Sequence, residues 1–183
     1  MLTYEEYDEV LHRLFESAYN IRCNPGSTDS ELLEADGLID DALSLTSGLE
    51  VQTAATDTGY EIAIDRLRCY IERLAIYTRL LKNAYGTPRF DELSEIQERY
   101  CNQYMQVYSH INNDEVRQSQ YQLTVMAYQS LAASYFRRGG MGKDKVLCQQ
   151  AIGYLDEAME LTRGDKLYDV LQANKQQILQ AMQ

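Results

Sequence analysis

The sequence predicts an all-α protein of about seven helices arranged in antiparallel hairpins. Only two prolines, Pro25 and Pro88, interrupt its 183 residues, and so few helix breakers favour long helices. Apolar residues recur three and four positions apart through most of the chain, which is one face of a helix. No segment alternates apolar and polar residues as a strand does. Short breaks between helices indicate antiparallel neighbours, and a closed helical bundle is the alternative arrangement.

The first hairpin is expected over about residues 3–47. A turn of Asn, Pro, Gly and Ser separates its helices. Thr28 followed by Glu31 is a capping box that begins the second helix. Gly48 is expected to end that helix, and the Thr- and Ala-rich segment 49–57 to form a linker. The inward stripes are Tyr7, Leu11, Leu14, Ala18 and Ile21, then Leu32, Ala35, Ile39, Ala42 and Leu45.

The second hairpin is expected over about residues 58–111. Its first helix ends at Gly86, because glycine accepts the backbone conformation of a helix terminus. Thr87 is then placed to cap the next helix, with Pro88 at the first helical position. The inward residues are Tyr60, Ala63, Leu67, Tyr70, Leu74, Tyr77, Leu81 and Ala84 in the first helix and Leu93, Ile96, Tyr100, Tyr104, Val107 and Ile111 in the second.

The third hairpin is expected over about residues 114–162. One helix is predicted to run from Asp114 to Arg138, and a glycine-rich break separates it from a second helix at about 143–162. A last helix, at about 165–182, would cover this hairpin as a cap. All these elements are expected to form one domain over 1–183.

One repeated pattern links the hairpins. Ala35, Ile39, Ala42 and Leu45 have the same spacing as Ala151, Leu155, Ala158 and Leu161. Tyr128, Leu131, Ala132 and Tyr135 precede the second copy. Together these residues resemble a tetratricopeptide repeat, best over 121–162 and more weakly over 28–47. The hairpins recur about every 55 residues against that family's 34. The resemblance implies an α–α superhelix in which stacked hairpins bury a shared core.

The resemblance also implies a binding surface. In that family the first helix of each hairpin lines a concave groove that holds a peptide or protein partner. Carried over to helix 114–138, the groove-facing side chains would be Met126, Gln129, Ala133, Phe136 and Arg137.

A second set of candidate binding residues is basic. Arg66 and Arg73 lie seven residues apart, on one face of the predicted helix 58–85. In a chain of opposite net charge they would suit an acidic partner segment or a carboxylate terminus. The alternative is ion pairing with neighbouring acidic helices, which is the commoner role of such charges.

Charge and composition limit the partners. Seventeen Lys and Arg stand against 28 Asp and Glu, so the net charge is −11. A field of this sign repels a phosphate backbone, and we expect no nucleic-acid partner. The acidic start resembles no signal peptide, and no apolar run is long enough for a membrane span. Four dispersed cysteines then favour buried free thiols in a cytoplasmic protein.

Patterns that could carry chemistry are incomplete. Glu9 and His12 have the spacing of a di-iron ligand pair, but His110 lacks a glutamate three residues before it. In the break 139–142, Lys143 is followed by Asp144, where a phosphate-binding loop needs Ser or Thr. Two histidines offer few general bases. We therefore expect no catalytic residues, no metal and no cofactor.

Three functions remain open. The first is a non-catalytic adaptor or client chaperone that binds a peptide or protein in a helical groove. The second is a structural subunit that forms a homo-oligomer through a tyrosine-rich face, since the chain has 15 tyrosines and no tryptophan. The third is a ligand sensor or enzyme with a pocket between helices.

Overall fold

The computed structural model describes residues 3–53 and 56–183, with the side chains of all of them except 48–53. Most of these residues lie in helices. No strand occurs in those ranges, so the predicted all-α class is confirmed. The helices are α1 (Tyr4–Cys23), α2 (Asp29–Thr53), α3 (Asp57–Ala84), α4 (Arg89–His110), α5 (Asp114–Ser119), α6 (Tyr121–Arg138), α7 (Lys145–Leu161) and α8 (Lys166–Ala181).

Side-chain caps explain where several helices begin. Thr28 and Glu31 form the predicted capping box, with the Glu31 carboxylate 2.7 Å from the Thr28 backbone nitrogen. The hydrogen bonds that this carboxylate accepts from the backbone nitrogen and the hydroxyl of Thr28 lower the pKa of Glu31. Asp144 and Asp165 accept backbone N–H groups at the starts of α7 and α8. The cap predicted for Thr87 is wrong, because its hydroxyl donates back to the carbonyl of Ala84 at 2.7 Å.

Two predicted boundaries also differ from the structure. The helix expected to stop at Gly48 continues to Thr53, so 49–53 is helical, and residues 54 and 55 of the expected linker lie outside the described residues. One glycine inside a helix costs only about 1 kcal/mol. The single helix expected from Asp114 divides into α5 and α6 at Gln120, whose backbone leaves the helical conformation.

Consecutive long helices pack on one another along the chain. α1 packs on α2, α2 on α3, α3 on α4, α4 on α6, α6 on α7, and α7 on α8. α3 also contacts α1 and α6, which are not its neighbours in sequence. One core cluster joins α1–α4 to the inner side of α6, and a second joins α6, α7 and α8. The apolar stripes predicted for the first two hairpins supply most of the first cluster.

α3 and α6 lie side by side and point the same way. Both run antiparallel to α4, as the contacts along α4 show. Early in α4, Gln97 donates to Thr78 of α3 at 3.0 Å and faces Arg137 of α6 at 3.3 Å. Later in α4, the hydroxyl of Tyr104 lies 2.8 Å from that of Thr124, near the start of α6. The C-terminal halves of α3 and α6 are therefore close together.

Candidate functional site

A groove lies between α3 and α6, with the first half of α4 at its floor. Its volume is about 1040 Å³. We call it the α3–α6 groove. Its apolar lining residues are Ile71, Leu74, Ala75, Leu81, Tyr85, Phe90, Met126, Ala133 and Met141, and its polar and basic ones are Arg22, Thr78, Arg79, Lys82, Gln97, Gln129, Ser130 and Arg137.

Three large apolar side chains in this lining are exposed to solvent. Tyr85 is 72 % exposed, Met141 58 % and Met126 46 %. Exposed apolar side chains clustered in a concave surface are typical of a binding site, whereas scattered ones are ordinary. Methionine suits such a surface because its flexible thioether adapts to the shape of a partner.

The turn that carries Met141 is held firmly. Met141 has φ = 51°, in the left-handed region that a residue with a side chain seldom adopts. Next to it, Gly142 has φ = 119° and lies so close to α8 that a Cβ would be 2.1 Å from the carbonyl oxygen of Ala181. The packing of this glycine on α8 therefore sets where Met141 lies at the edge of the groove.

All the charged side chains that line the groove are basic, and no carboxylate lines it. The four cations are Arg22, Arg79, Lys82 and Arg137, and the lining contains no Asp, Glu, His or Cys. In a chain of net charge −11 the groove is a local reversal of sign. A concave surface lined by one sign of charge concentrates ligands of the opposite sign.

Two of these cations join the end of α1 to α3. Arg22 forms a two-point ion pair with Glu72, which is 5 % exposed. Arg79 donates to the backbone carbonyls of Arg22, Asn24 and Pro25, which holds the C-terminus of α1 against α3. These carbonyls are neutral, so the charge of Arg79 is not cancelled by a carboxylate.

Arg137 is the most unusual group in the groove. Its guanidinium makes no ion pair within the described residues, and its buried Nε has no hydrogen-bond partner there. One Nη lies at long hydrogen-bond distances from two neutral oxygens, 3.3 Å from Gln97 Oε1 and 3.4 Å from Ser94 Oγ. The guanidinium also lies 5.6 Å from the centre of the Phe90 ring. Burial lowers the pKa of Arg137, because the charged form loses water without gaining a counter-ion.

Neutral polar groups near Arg137 complete the lining. The amide of Gln97 donates to the carbonyl of Leu74 and to the hydroxyl of Thr78, which fixes its carbonyl oxygen toward Arg137. The amide of Gln129 and the hydroxyl of Ser130 make no hydrogen bond to any other described residue. Both are half-buried in the groove wall, where they can bond to a peptide backbone.

The residues predicted from sequence separate into two groups. Met126, Gln129, Ala133 and Arg137 line the groove together. Phe136 does not line it, because its ring packs on the core cluster formed by α6, α7 and α8. One position along a helix turns the side chain by about 100°, which is why Phe136 faces away while Arg137 faces in.

Arg73 and Arg66 lie outside the groove. Arg73 is 6 % exposed and donates to Asp36 at 2.6 Å and Asp40 at 2.9 Å, with its guanidinium 4.2 Å above the Tyr100 ring. The ion-pairing alternative therefore describes Arg73. Arg66 is half-buried and donates to the hydroxyl of Ser47 at 3.2 Å.

Sequence reasoning missed much of the groove. Phe90, Tyr85 and Met141 come from a helix start and from two connections, where no helical stripe exists to assign a face. Arg79 and Lys82 belong to the basic residues of α3, but the heptad spacing pointed instead to Arg66 and Arg73. The signal available in the sequence was that Tyr85 directly precedes Gly86, the predicted helix end, and has no place in the apolar stripe, as is typical of an aromatic side chain on a surface.

No other chemistry is assembled in the part of the chain that the structure describes. His12 and His110 are both exposed, and no three His, Cys, Asp or Glu residues within the described ranges are placed to hold a metal ion. Among the described helices, none is long and apolar enough to cross a membrane. All four cysteines are free thiols, and burial raises the pKa of both Cys69 and Cys101 to about 12.

Comparison of the chain with protein-family models, with curated proteins and with solved structures finds no match.

Proposed function

We propose that this chain is a non-catalytic interaction protein that holds a segment of a partner protein in the α3–α6 groove. One observation carries the proposal: the groove combines an apolar lining, three exposed large apolar side chains and a charge opposite to that of the whole chain. A groove lined by helices with apolar anchor sites is a common way to bind a peptide.

Binding is favoured over catalysis by what lines the groove. Its described lining offers no carboxylate, imidazole or thiol that could act as a general base or nucleophile. Its neutral polar groups, Gln129 and Ser130, are instead suited to hydrogen bonds with peptide backbone. A volume of about 1040 Å³ lies at the upper end of the range for small-ligand pockets, which also favours a larger occupant.

The packing of α1, α3 and α6 agrees with this role. α3 contacts α1 on one side and α6 on the other, so the three helices can act as the first helices of successive hairpins. We propose on this basis that the tetratricopeptide-like stacking expected from sequence applies here, with a cytoplasmic location suited to four free thiols. The exposed tyrosines Tyr4, Tyr19, Tyr85 and Tyr168 are distributed over α1, the turn after α3, and α8, so no observation favours a single tyrosine-rich face.

The test is to fill the groove without unfolding the protein. Ala133 is exposed on the groove wall, so Ala133→Trp adds bulk there, and Ala173→Trp adds the same bulk to an exposed position on α8. Peptides selected on the native chain from a random phage-displayed library would be titrated against all three proteins by fluorescence anisotropy. We expect Ala133→Trp to weaken binding at least about tenfold and Ala173→Trp to leave it unchanged. Equal binding by all three proteins would contradict the proposal.

A further inference from the structure

We infer that the occupant of the α3–α6 groove is an apolar peptide segment carrying a carboxylate, and that this carboxylate pairs with Arg137. The inference rests on the proposed function and adds the chemistry of the partner. It follows from how Arg137 is placed, from the charges around it and from the distribution of apolar residues along the groove.

Arg137 lacks the counter-ion that Arg73 and Arg22 have. Arg73 pairs with Asp36 and Asp40, and Arg22 pairs with Glu72. Arg137 faces only neutral oxygens at 3.3 and 3.4 Å, and its Nε is buried without a partner among the described residues. A guanidinium presents two parallel N–H groups that match the two oxygens of a carboxylate. An incoming carboxylate would supply the counter-ion that the fold does not.

The surrounding charges favour an acid and reject a base. Arg79 and Lys82 line α3 on the opposite side of the groove, and neither forms an ion pair with a described carboxylate. A segment rich in lysine or arginine would meet like charge here, which costs affinity. A nucleic acid would meet the field of the whole chain, whose net charge is −11. A single carboxylate on an otherwise apolar segment avoids both penalties.

The basic side chains without an ion pair lie toward one end of the groove. Because α3 and α6 are parallel, Lys82 and Arg137 lie together near the C-terminal ends of these helices, and Ile71 lies toward the other end. Apolar residues line both ends, with Tyr85 and Phe90 on the side of Arg137. The eleven positions from Ile71 to Lys82 span about 16 Å of helix. We therefore expect apolar side chains along most of the bound segment and its acidic residue toward one end.

A peptide selection tests this chemistry directly. A random phage library of about twelve residues, long enough to span the groove as a helix, would be selected on the native chain, on Arg137→Gln and on Arg99→Gln. Arg99 is an exposed arginine of α4 outside the groove and serves as the matched control. We expect the native chain and Arg99→Gln to enrich peptides in which Asp or Glu accompanies Leu, Ile, Met or Phe, and Arg137→Gln to lose the acidic preference.

The outcomes separate the two proposals. Apolar peptides enriched on the native chain without acidic residues would overturn the carboxylate inference and leave the proposed function standing. No enrichment above background on the native chain would overturn both. Light scattering provides a further check. If the native chain is a dimer and Arg137→Gln is a monomer, the occupant of the groove is a second copy of this chain, and the inferred partner segment is overturned.

A pair of dyes isolates the anion site from the apolar groove. Anilinonaphthalene sulfonate and N-phenyl-naphthylamine share an aromatic body, and only the first carries a negative charge. We expect Arg137→Gln to weaken the binding of the sulfonate about tenfold and that of the neutral dye less than twofold, with Arg99→Gln changing neither. Equal losses for both dyes would overturn the anion site. If Arg137→Gln weakens binding of the sulfonate alone and no peptide is enriched, the groove binds a small anionic amphiphile, and the inference of a peptide occupant is overturned.

Discussion

The seam between α2 and α3 contains the buried Arg73, the groove between α3 and α6 contains the half-buried Arg137, and the two arginines differ in what faces them. In the α2–α3 seam, Arg73 meets two carboxylates, and Tyr77 also donates to Asp36 at 3.3 Å. In the α3–α6 groove, Arg137 meets no carboxylate of the described chain. The arginine of the seam therefore has counter-ions within the fold, whereas the arginine of the groove has none in the described residues.

This difference separates an arginine whose charge is satisfied within the fold from one that is available to a partner. An arginine whose charge is satisfied within the fold stabilises helix packing and is not available to a partner. An arginine left half-buried without a counter-ion lowers stability, and a partner's carboxylate can reverse that effect. Both residues are helical arginines at least half-buried against a neighbouring helix, and the carboxylates nearby decide the role of each.

The largest effect is expected from removing the arginine of the seam. Arg73→Met deletes the guanidinium and leaves Asp36, which is 14 % exposed, without its ion-pair partner. Breaking a buried ion pair from one side costs about 3 kcal/mol, and we expect the free energy of unfolding to fall by about that amount. Urea denaturation followed by circular dichroism measures it. A decrease in the free energy of unfolding below about 1 kcal/mol is what exposed ion pairs give, and it would contradict the difference drawn between Arg73 and Arg137.

The same substitution in the groove is expected to have a much smaller effect, of either sign. Arg137→Met removes a charge that has no counter-ion, together with its long contact to the Phe90 ring, and keeps an apolar side chain in its place. We expect the free energy of unfolding to change by less than about 1 kcal/mol, because the desolvation cost of the charge offsets its two long hydrogen bonds. The same urea series provides the value. A loss as large as that of Arg73→Met would show that Arg137 is needed for folding.

The helices were predictable from sequence because their apolar stripes coincide with the core. Tyr7, Leu32, Leu67, Leu93 and Tyr104 were all assigned inward and are all buried. A helix that buries one face needs apolar residues three or four positions apart, so this pattern can be read from a short stretch of sequence. The division between α5 and α6 at Gln120 was not predictable, because no glycine or proline marks it.

The groove was only partly predictable. The residues of α6 could be placed because a repeat pattern assigned that helix a face. The roles of Arg73 and Arg137 could not be distinguished, because the carboxylates that decide them, Asp36 and Asp40, lie more than thirty positions away from Arg73 in sequence. Only the fold shows which arginine meets them.

A double-mutant cycle between Arg137 and a peptide carboxylate tests the central claim most directly. A peptide selected on the native chain would be compared with its Glu-to-Gln or Asp-to-Asn form, each against the native protein and Arg137→Gln. We predict a coupling energy of about 2 kcal/mol, as close charge pairs at interfaces give. A coupling energy below about 0.5 kcal/mol, with the peptide still bound, would contradict the assignment of Arg137 as the partner of that carboxylate.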